Sequence, residues 1–336
     1  MNILYQFNEA YAPFAGASVT SLFEQNRKAG EITVYVLGEG LSKDSIRRFD
    51  ELARQYERTI IFLNADAAME RMRELNMPTY RGSYAANLRL FLTDILPEAV
   101  ERILYLDADT IVCDSLAEVY ALDLGEKVIG MAIDSLTKRH KRDIGLTQDE
   151  EYYNSGVILF DMKRWRQAGC TERIIDHVLH VRSHYPAPDQ DLLNVCCRGD
   201  IFRLPIRYNL QPIHLAFSYR QYHCFFGQKS YYEKEEIERA VKAPGILHFF
   251  RFVGEFPWHE NTLHPDRAAF DHYIALSPWH DYQKKKAQVG TVLKIEKCLY
   301  RVLPRGIFIM LFKLSHMLFI DRANKDSLKK KTNKNM

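Results

Sequence analysis

The sequence predicts an α/β protein in which a mainly parallel β-sheet is flanked by helices. Short apolar runs typical of buried strands alternate with amphipathic stretches of helical spacing, and the connections between them are short. The 336 residues are 47% hydrophobic and 26% charged, which is typical of a globular protein with a sizeable core.

The first third of the chain alternates between predicted strands and predicted helices. The runs MNILYQF, EITVYVLG and RTIIFLNA predict strands, because each is dominated by aliphatic and aromatic residues. A helix is predicted at YAPFAGASVTSLFEQN, where Val19, Leu22 and Phe23 recur at helical spacing, and another at KDSIRRFDELARQY. The stretch SYAANLRLFLTDIL predicts one more helix, which ends before Pro97.

The middle of the chain continues the same pattern. Four further strands are predicted at RILYLDAD, KVIGMAI, SGVILFDM and PGILHFF. Helices are predicted to begin at KRWRQAG and at DQDLLNVCCRG. No internal repeat is present at the periods of solenoid proteins.

The C-terminal segment differs in charge from the rest of the chain. Residues 284–336 carry 14 Lys and Arg against 3 acids, whereas residues 1–283 carry 32 basic and 40 acidic residues. The longest apolar run of the segment, 307–312, is too short to span a bilayer. We therefore expect one domain at 1–283 and a basic amphipathic helical tail at 284–336 that contacts an anionic membrane surface. The alternative is a solvated tail with a helix packed on the body.

The cysteines and the N-terminus indicate the compartment. None of the six cysteines forms a C-x-x-C pair, so neither a zinc site nor a redox motif is indicated. The N-terminus begins with strand-like residues, and we expect no signal peptide. These features predict a cytoplasmic protein, and the basic tail predicts its association with the inner face of the plasma membrane; no nucleic-acid partner is expected.

Two carboxylates follow the most apolar predicted strand, RILYLDAD. Asp107 and Asp109 are separated by one residue, so in an extended backbone their side chains point the same way. Two close anions repel unless a cation compensates them, and a divalent ion such as Mn²⁺ or Mg²⁺ shared with a phosphate would do so. The alternative is a strand-end acid that caps the next turn. The chain has neither G-x-x-x-x-G-K-[ST] nor G-x-G-x-x-G, so a phosphate must be held through a metal and side chains.

Several motifs, taken in order, resemble glycosyltransferase family 8, which includes bacterial lipopolysaccharide galactosyl- and glucosyltransferases and glycogenin. They are YAPFAGASVTSL, RLFLTDILP, ILYLDADTIVCDSL, AIDS, YYNSGVILFDMKRWR, DQDLLN, ILHF and PW, and they cover residues 1–283. The resemblance implies a GT-A fold, with a Rossmann-like nucleotide-binding sheet. It also implies a UDP-sugar donor, Mn²⁺ (or Mg²⁺), and retention of the anomeric configuration.

The resemblance also implies roles for individual residues. Asp107, Asp109 and His248 would hold the metal, and Tyr11 would stack on the uracil. Asp189 and Gln190 would act at the reacting sugar together with Asp134 and Asn154. The other residues that would contact the donor nucleotide or sugar are Gln6, Asn8, Arg89, Asp107, Ala108, Ser155, Arg251 and Gly254.

Two positions depart from the family pattern. The family usually has Asp where this chain has Asn8, which accepts a hydrogen bond without charge. The family motif H-x-x-G-x-x-K-P-W is here HFFRFVGEFPW, so Phe256 stands at the position of the lysine that contacts the diphosphate. We expect Arg251 to supply the missing positive charge.

The predicted function is the transfer of galactose or glucose from a UDP-sugar to a glycan or glycolipid in cell-surface polysaccharide or lipopolysaccharide synthesis. Retention is possible by double displacement or by front-face attack, and we favour the latter with Gln190 as an electrostatic stabiliser, because an amide is a poor nucleophile. One alternative is a haloacid-dehalogenase-like phosphohydrolase, since ILYLDADTIV also fits its D-x-D-x-T pattern. Another is a membrane-docked nucleotide-sugar-binding protein without turnover.

Overall fold

The computed structural model describes residues 1–80, 83–134, 138–181, 185–226 and 231–314. The last part of the predicted basic tail, 315–336, lies outside the described residues. Within them the chain forms nine strands: β1 Asn2–Asn8, β2 Thr33–Glu39, β3 Thr59–Phe62, β4 Arg102–Asp107, β5 Thr110–Val112, β6 Ile129–Ile133, β7 Tyr153–Asp161, β8 Ile201–Arg203 and β9 Ile246–His248.

Seven of these strands form one sheet, in the order β3-β2-β1-β4-β7-β6-β8. Strands β1 to β4 pair in parallel, and β6 pairs in parallel with β8. Only β7 runs against both of its neighbours, β4 and β6, among the described pairs of this sheet. The predicted α/β class with a mainly parallel sheet is therefore confirmed, and each of the seven predicted strands is present.

Helices cover the sheet on both faces, and two groups of buried apolar side chains fill the space between helices and sheet. The described α-helices up to residue 302 are α1 Ala12–Gln25, α2 Lys43–Gln55, α3 Asp66–Glu74, α4 Leu92–Ile95, α5 Ala117–Tyr120, α6 Lys138–Asp143, α7 Met162–Gln167, α8 Cys170–His180, α9 Pro188–Cys196, α10 Pro212–Ala216, α11 Tyr219–Phe226, α12 Lys234–Lys242, α13 Arg267–Leu276 and α14 Thr291–Val302.

The continuous helix predicted over 83–96 is wrong. The segment instead forms a 3₁₀ turn at Ala85–Leu90 followed by the four-residue α4. The side chains of Asn87 and Arg89 turn inward, where they donate hydrogen bonds to the carbonyls of Pro78 and Ser155. Tertiary partners for two buried polar side chains therefore override the local helical pattern.

A second, two-stranded sheet begins after the two residues that follow the carboxyl end of β4. Strand β5 pairs antiparallel with β9, which places Thr110 opposite His248 although the two are far apart in sequence. The chain turns at Ala108 and Asp109 between β4 and β5. The assumption that Asp107 and Asp109 share an extended strand is therefore wrong: the turn and the β5–β9 pairing bring the residues together.

The described part of the C-terminal segment packs on the body. Phe308 and Ile309 are buried, at 2% exposure each, against Phe217, Phe252 and Val253. They belong to a helix over 305–314 that follows α14. Seven large apolar side chains of the two helices nevertheless stay exposed: Val292, Ile295, Val302, Ile307, Met310, Leu311 and Leu314. Among the described residues, no helix combines the length and hydropathy required to cross a bilayer.

Candidate active site

Loops and strand ends at one edge of the main sheet enclose a cavity of about 520 Å³. The carboxyl ends of β4 and β6 meet there with the amino end of β7, because β7 runs in the opposite direction. This edge is where open α/β sheets bind ligands. The predicted site residues that line the cavity are Tyr11, Arg89, Asp107, Asp109, Asp134, Asn154, Ser155, Asp189, Gln190, His248 and Arg251.

Asp107, Asp109 and His248 form one compact cluster. One ligand atom from each lies within 4.8 Å of the others. The His248 Nε2 atom is 3.5 Å from Asp109 Oδ1 and 3.6 Å from Asp107 Oδ2. Burial disfavours the charged imidazole, but the hydrogen bond and charge of Asp109 and the charge of Asp107 outweigh this effect and raise the pKa of His248. The cluster is thus built to attract positive charge.

The residues of this cluster fit a divalent cation. Two carboxylates and one imidazole nitrogen are suitable ligands for Mn²⁺, and the carboxylates also suit Mg²⁺. The other ring nitrogen of His248, Nδ1, lies 2.9 Å from the side-chain oxygen of Asn209 and donates there, so Nε2 is the nitrogen that would bind a cation held between it and the carboxylates.

The charges lining the cavity favour a cation as well. The described lining residues include four carboxylates and two guanidinium groups, those of Arg89 and Arg251. A nucleoside diphosphate would meet a net negative surface unless a cation were bound. A divalent ion would balance that surface and offer a ligand position to the phosphates.

A buried network of amides and carboxylates forms a second wall of the cavity beside the Asp107, Asp109 and His248 cluster. Gln190 donates to Asp134 Oδ2 at 3.1 Å and to the Tyr152 hydroxyl at 2.9 Å. Its Oε1 accepts from the Asn154 amide and from the backbone N–H of Ser155, both at 3.0 Å. The Ser155 hydroxyl in turn donates to Asp189 Oδ2 at 3.0 Å. Fixed polar groups of this kind discriminate between the hydroxyls of different sugars.

Arg89 connects the two walls. Its guanidinium donates to the Ser155 carbonyl at 2.7 Å, lies 3.1 Å from Asp107 Oδ1 and lies 3.4 Å from Asp189 Oδ2. Burial opposes its charge, but nearby Tyr105 and the two aspartates more than compensate, so its pKa is raised. Burial raises the pKa of Asp189, against the effect of Arg89.

The remaining residues predicted to contact the donor lie outside the lining of the cavity. The Gln6 side chain donates to the Ala85 carbonyl, and its buried Oε1 has no hydrogen-bond partner among the described atoms. Asn8 is exposed at the end of β1, and Ala108 is buried in the turn. None of these three lines the cavity, and neither does Gly254, which packs against Leu293.

Arg251 and Phe256 occupy the mouth of the cavity together. The Arg251 guanidinium lies 5.4 Å from the centroid of the Phe256 ring, and that ring stacks on Trp258 at 4.5 Å. Phe256, at the family's lysine position, therefore makes a cation–π contact with Arg251, and both residues line the described cavity. That Arg251 replaces the lysine stays a prediction.

Sequence reasoning missed three residues that hold the site. Asn209 contacts His248, and Gln211 donates to Asp134 Oδ1 at 3.0 Å. Gly156 lies so close to His248 that a Cβ atom on it would sit 2.0 Å from the ring Cε1. A glycine inside a strand is a signal of close approach, but Asn209 and Gln211 belong to no motif.

The fold and the site together define a nucleotide-sugar-dependent glycosyltransferase of the GT-A type. The chain belongs to glycosyl transferase family 8, whose model matches residues 2–262. The enzyme is therefore a retaining glycosyltransferase, and the phosphohydrolase alternative is wrong.

Relatives of known name agree with this assignment. The chain is 26% identical over 287 residues to general stress protein A of Bacillus subtilis, covering 83% of this chain and 95% of that protein. It is 24% identical over 318 residues to lipopolysaccharide 1,2-glucosyltransferase of Escherichia coli K12, covering 92% and 87%. It is 25% identical over 286 residues to lipopolysaccharide 1,3-galactosyltransferase of Salmonella typhimurium, covering 83% and 79%.

Among solved structures, the galactosyltransferase LgtC in complex with donor and acceptor sugar analogues has the same fold. It superposes with a TM-score of 0.66 at 24% identity, over 82% of this chain and 96% of that one.

Proposed function

We propose that this enzyme transfers galactose or glucose from a UDP-sugar to a glycan or glycolipid acceptor in the synthesis of lipopolysaccharide or another cell-surface polysaccharide. The relatives named as lipopolysaccharide glucosyl- and galactosyltransferases support the substrate class. The observation that carries the proposal is the cluster of Asp107, Asp109 and His248 beside the buried polar network.

In this proposal Asp107, Asp109 and His248 hold Mn²⁺. When bound, the cation supplies Lewis-acid stabilisation of the departing diphosphate. Arg89 neutralises Asp107 and Asp189 and orients both. Gln6, which pairs with Asp107 in the sheet register but does not line the described cavity, keeps its proposed place beside the base or ribose on the family resemblance alone.

Front-face attack remains the favoured route to retention. The Gln190 Oε1 atom accepts from the Asn154 amide and from the backbone N–H of Ser155, both at 3.0 Å, so both of its lone pairs are engaged. Such an oxygen is a weak nucleophile, although its dipole can stabilise a developing positive charge on the sugar. A stable sugar adduct on Gln190, found by mass spectrometry, would contradict this route.

Turnover with a defined donor tests the proposal. Purified full-length protein is screened for UDP release from a panel of UDP-sugars, with MnCl₂ or with EDTA. We expect Mn²⁺-dependent release from UDP-glucose or UDP-galactose, and a loss of at least about 100-fold in Asp109→Ala, since a metal ligand is removed. Equal release by the variant would refute the metal site, and release from other UDP-sugars but from neither UDP-glucose nor UDP-galactose would refute the proposed donors.

We further propose that residues 284–336 form a membrane-contacting segment and place the enzyme at the cytoplasmic face of the plasma membrane. Its exposed apolar side chains lie among lysines and arginines, as in helices that bind anionic lipid surfaces. Exchanging Ile307 and Met310 for Glu should reduce sedimentation with vesicles that contain phosphatidylglycerol. Leu179→Glu, an exposed apolar residue on α8, is the matched control. Unchanged sedimentation of the double variant would refute the assignment.

A further inference from the structure

Asn209 lies between the metal cluster and the sugar-binding network. It ends the 3₁₀ turn Ile206–Asn209 and is 1% exposed. Its Oδ1 is 2.9 Å from His248 Nδ1, and its Nδ2 is 2.8 Å from Asn154 Oδ1. One amide therefore contacts one residue of each wall.

The hydrogen-bond network determines which way this amide points. The Nδ2 of Asn154 lies 3.1 Å from Asp134 Oδ2, which as a carboxylate only accepts, so the oxygen of Asn154 must be on the other side. That oxygen also accepts from the Gly156 N–H at 2.9 Å. The group of Asn209 that faces it must then be the NH₂, which leaves the carbonyl oxygen for His248.

The orientation of Asn209 in turn determines the tautomer of His248. An imidazole that donates from Nδ1 keeps its lone pair on Nε2, the atom that faces Asp107 and Asp109. The backbone keeps the two residues in register, because Leu210 donates to the Ile246 carbonyl and His248 donates to the Leu210 carbonyl, both at 2.9 Å.

We infer that Asn209 is a positioning residue that fixes His248 in its metal-binding tautomer and links it to the donor-sugar network through Asn154. The inference rests on the proposed function and adds a residue to it. Loss of an outer-shell partner of this kind weakens metal binding by about 10- to 100-fold. Because the same amide donates to Asn154, a change at Asn209 acts on sugar binding as well as on the metal.

Direct Mn²⁺ binding separates these two effects. Free Mn²⁺ is followed by its EPR signal during MnCl₂ titration of the full chain in the presence of UDP, with a protein-free control for UDP itself. Asn209→Leu removes both hydrogen bonds and should weaken Mn²⁺ binding by about 10- to 100-fold. Asn209→Asp keeps an acceptor for His248, so it should bind Mn²⁺ with at least about one third of the wild-type affinity. On the other side it replaces the donor to Asn154 with a charged oxygen, so the link to the sugar network is broken.

The sugar side is measured with the same Asn209→Asp variant. Its affinity for UDP-glucose or UDP-galactose, relative to its affinity for UDP, should fall by about tenfold, as expected for one lost hydrogen bond in the network. Asn26→Leu deletes another buried amide, 2% exposed, whose partners Leu22 and Leu116 lie outside the cavity. It should lower stability and leave both affinities unchanged.

The outcomes distinguish the inference from the function on which it rests. Wild-type protein that binds no Mn²⁺ would overturn the metal assignment, and the inference with it. Wild-type binding with equal binding by Asn209→Leu would overturn the inference alone. If Asn209→Leu does not fold, Asn209→Asp decides: loss of sugar affinity with Mn²⁺ binding kept supports the inference, and any other combination overturns it.

Discussion

A single methyl group at Gly156 is expected to disable the candidate metal site. A Cβ atom there would lie 2.0 Å from His248 Cε1, 2.6 Å from its Nδ1 and 2.9 Å from Asp107 Oδ2. Ordinary contacts between carbon atoms are about 3.5–4.0 Å, so the imidazole or strand β7 must move by more than 1 Å. A displacement of about 1 Å in a catalytic constellation costs about 100-fold in rate, which equals about 2.7 kcal/mol of transition-state stabilisation.

The assay is kcat/KM for Mn²⁺-dependent UDP release by Gly156→Ala. Gly30→Ala is the matched control, because a Cβ at Gly30 has no atom within 4 Å. Overpacking of this kind also lowers stability by about 1–3 kcal/mol, so rates are compared well below the unfolding temperature of both variants. A Gly156→Ala enzyme with the rate of wild type would refute the close packing of His248 on β7 as a requirement for activity.

Two further predictions concern stability. Lys297→Ala should lower the free energy of unfolding, measured in urea, by about 3 kcal/mol, because it leaves the buried carboxylate of Glu255 without its partner at 2.6 Å. The control Lys234→Ala breaks an exposed ion pair and should lower the free energy of unfolding by less than about 1 kcal/mol. Equal losses in the two variants would contradict this prediction. Burial raises the pKa of Asp266 from 3.8 to about 8, so the folded state keeps a proton that the unfolded state loses, and the free energy of unfolding should fall as pH rises from about 4 to 8. Asp266→Asn should reduce that decline, which is measured from urea unfolding curves recorded at several pH values. An equal decline of the free energy of unfolding in wild type and variant would contradict the assignment to Asp266.

Strands β5 and β8, of three residues each, were not predicted, whereas the other seven described strands were predictable from sequence because each contains a short apolar run. Strand β7, for instance, is buried from Asn154 to Phe160, so its composition alone separates it from helices and loops. The segment 83–96 was not predictable in the same way. Its apolar residues do recur at helical spacing. Arg89, however, bonds to Ser155 and Asp107, which come from distant parts of the chain and leave no signal near position 89.

The candidate site was predictable only where residues form a motif. Asp107 and Asp109 are separated by one residue in a D-x-D motif, and the resemblance to family 8 identified His248. Asn209 is 39 residues from His248 and becomes its neighbour only through the backbone hydrogen bonds of Leu210 with β9. A residue such as Asn209, which positions a metal-binding side chain through long-range pairing, leaves no local sequence motif. The carboxylates that would bind the metal do form a local motif.

The segment 251–256 lines the cavity and also packs against the C-terminal helices. Arg251 and Phe256, at its two ends, line the cavity, whereas Val253 packs on the apolar cluster that the C-terminal helices complete. Val253 has a φ of 49°, a conformation that costs a β-branched residue about 1–3 kcal/mol, so the surrounding contacts must hold it there. Lys297 of α14 provides one such contact by pairing with Glu255. The helices proposed to meet the membrane therefore also stabilise the turn that places Arg251 at the cavity, and a truncation before α14 should impair the cavity itself as well as membrane binding.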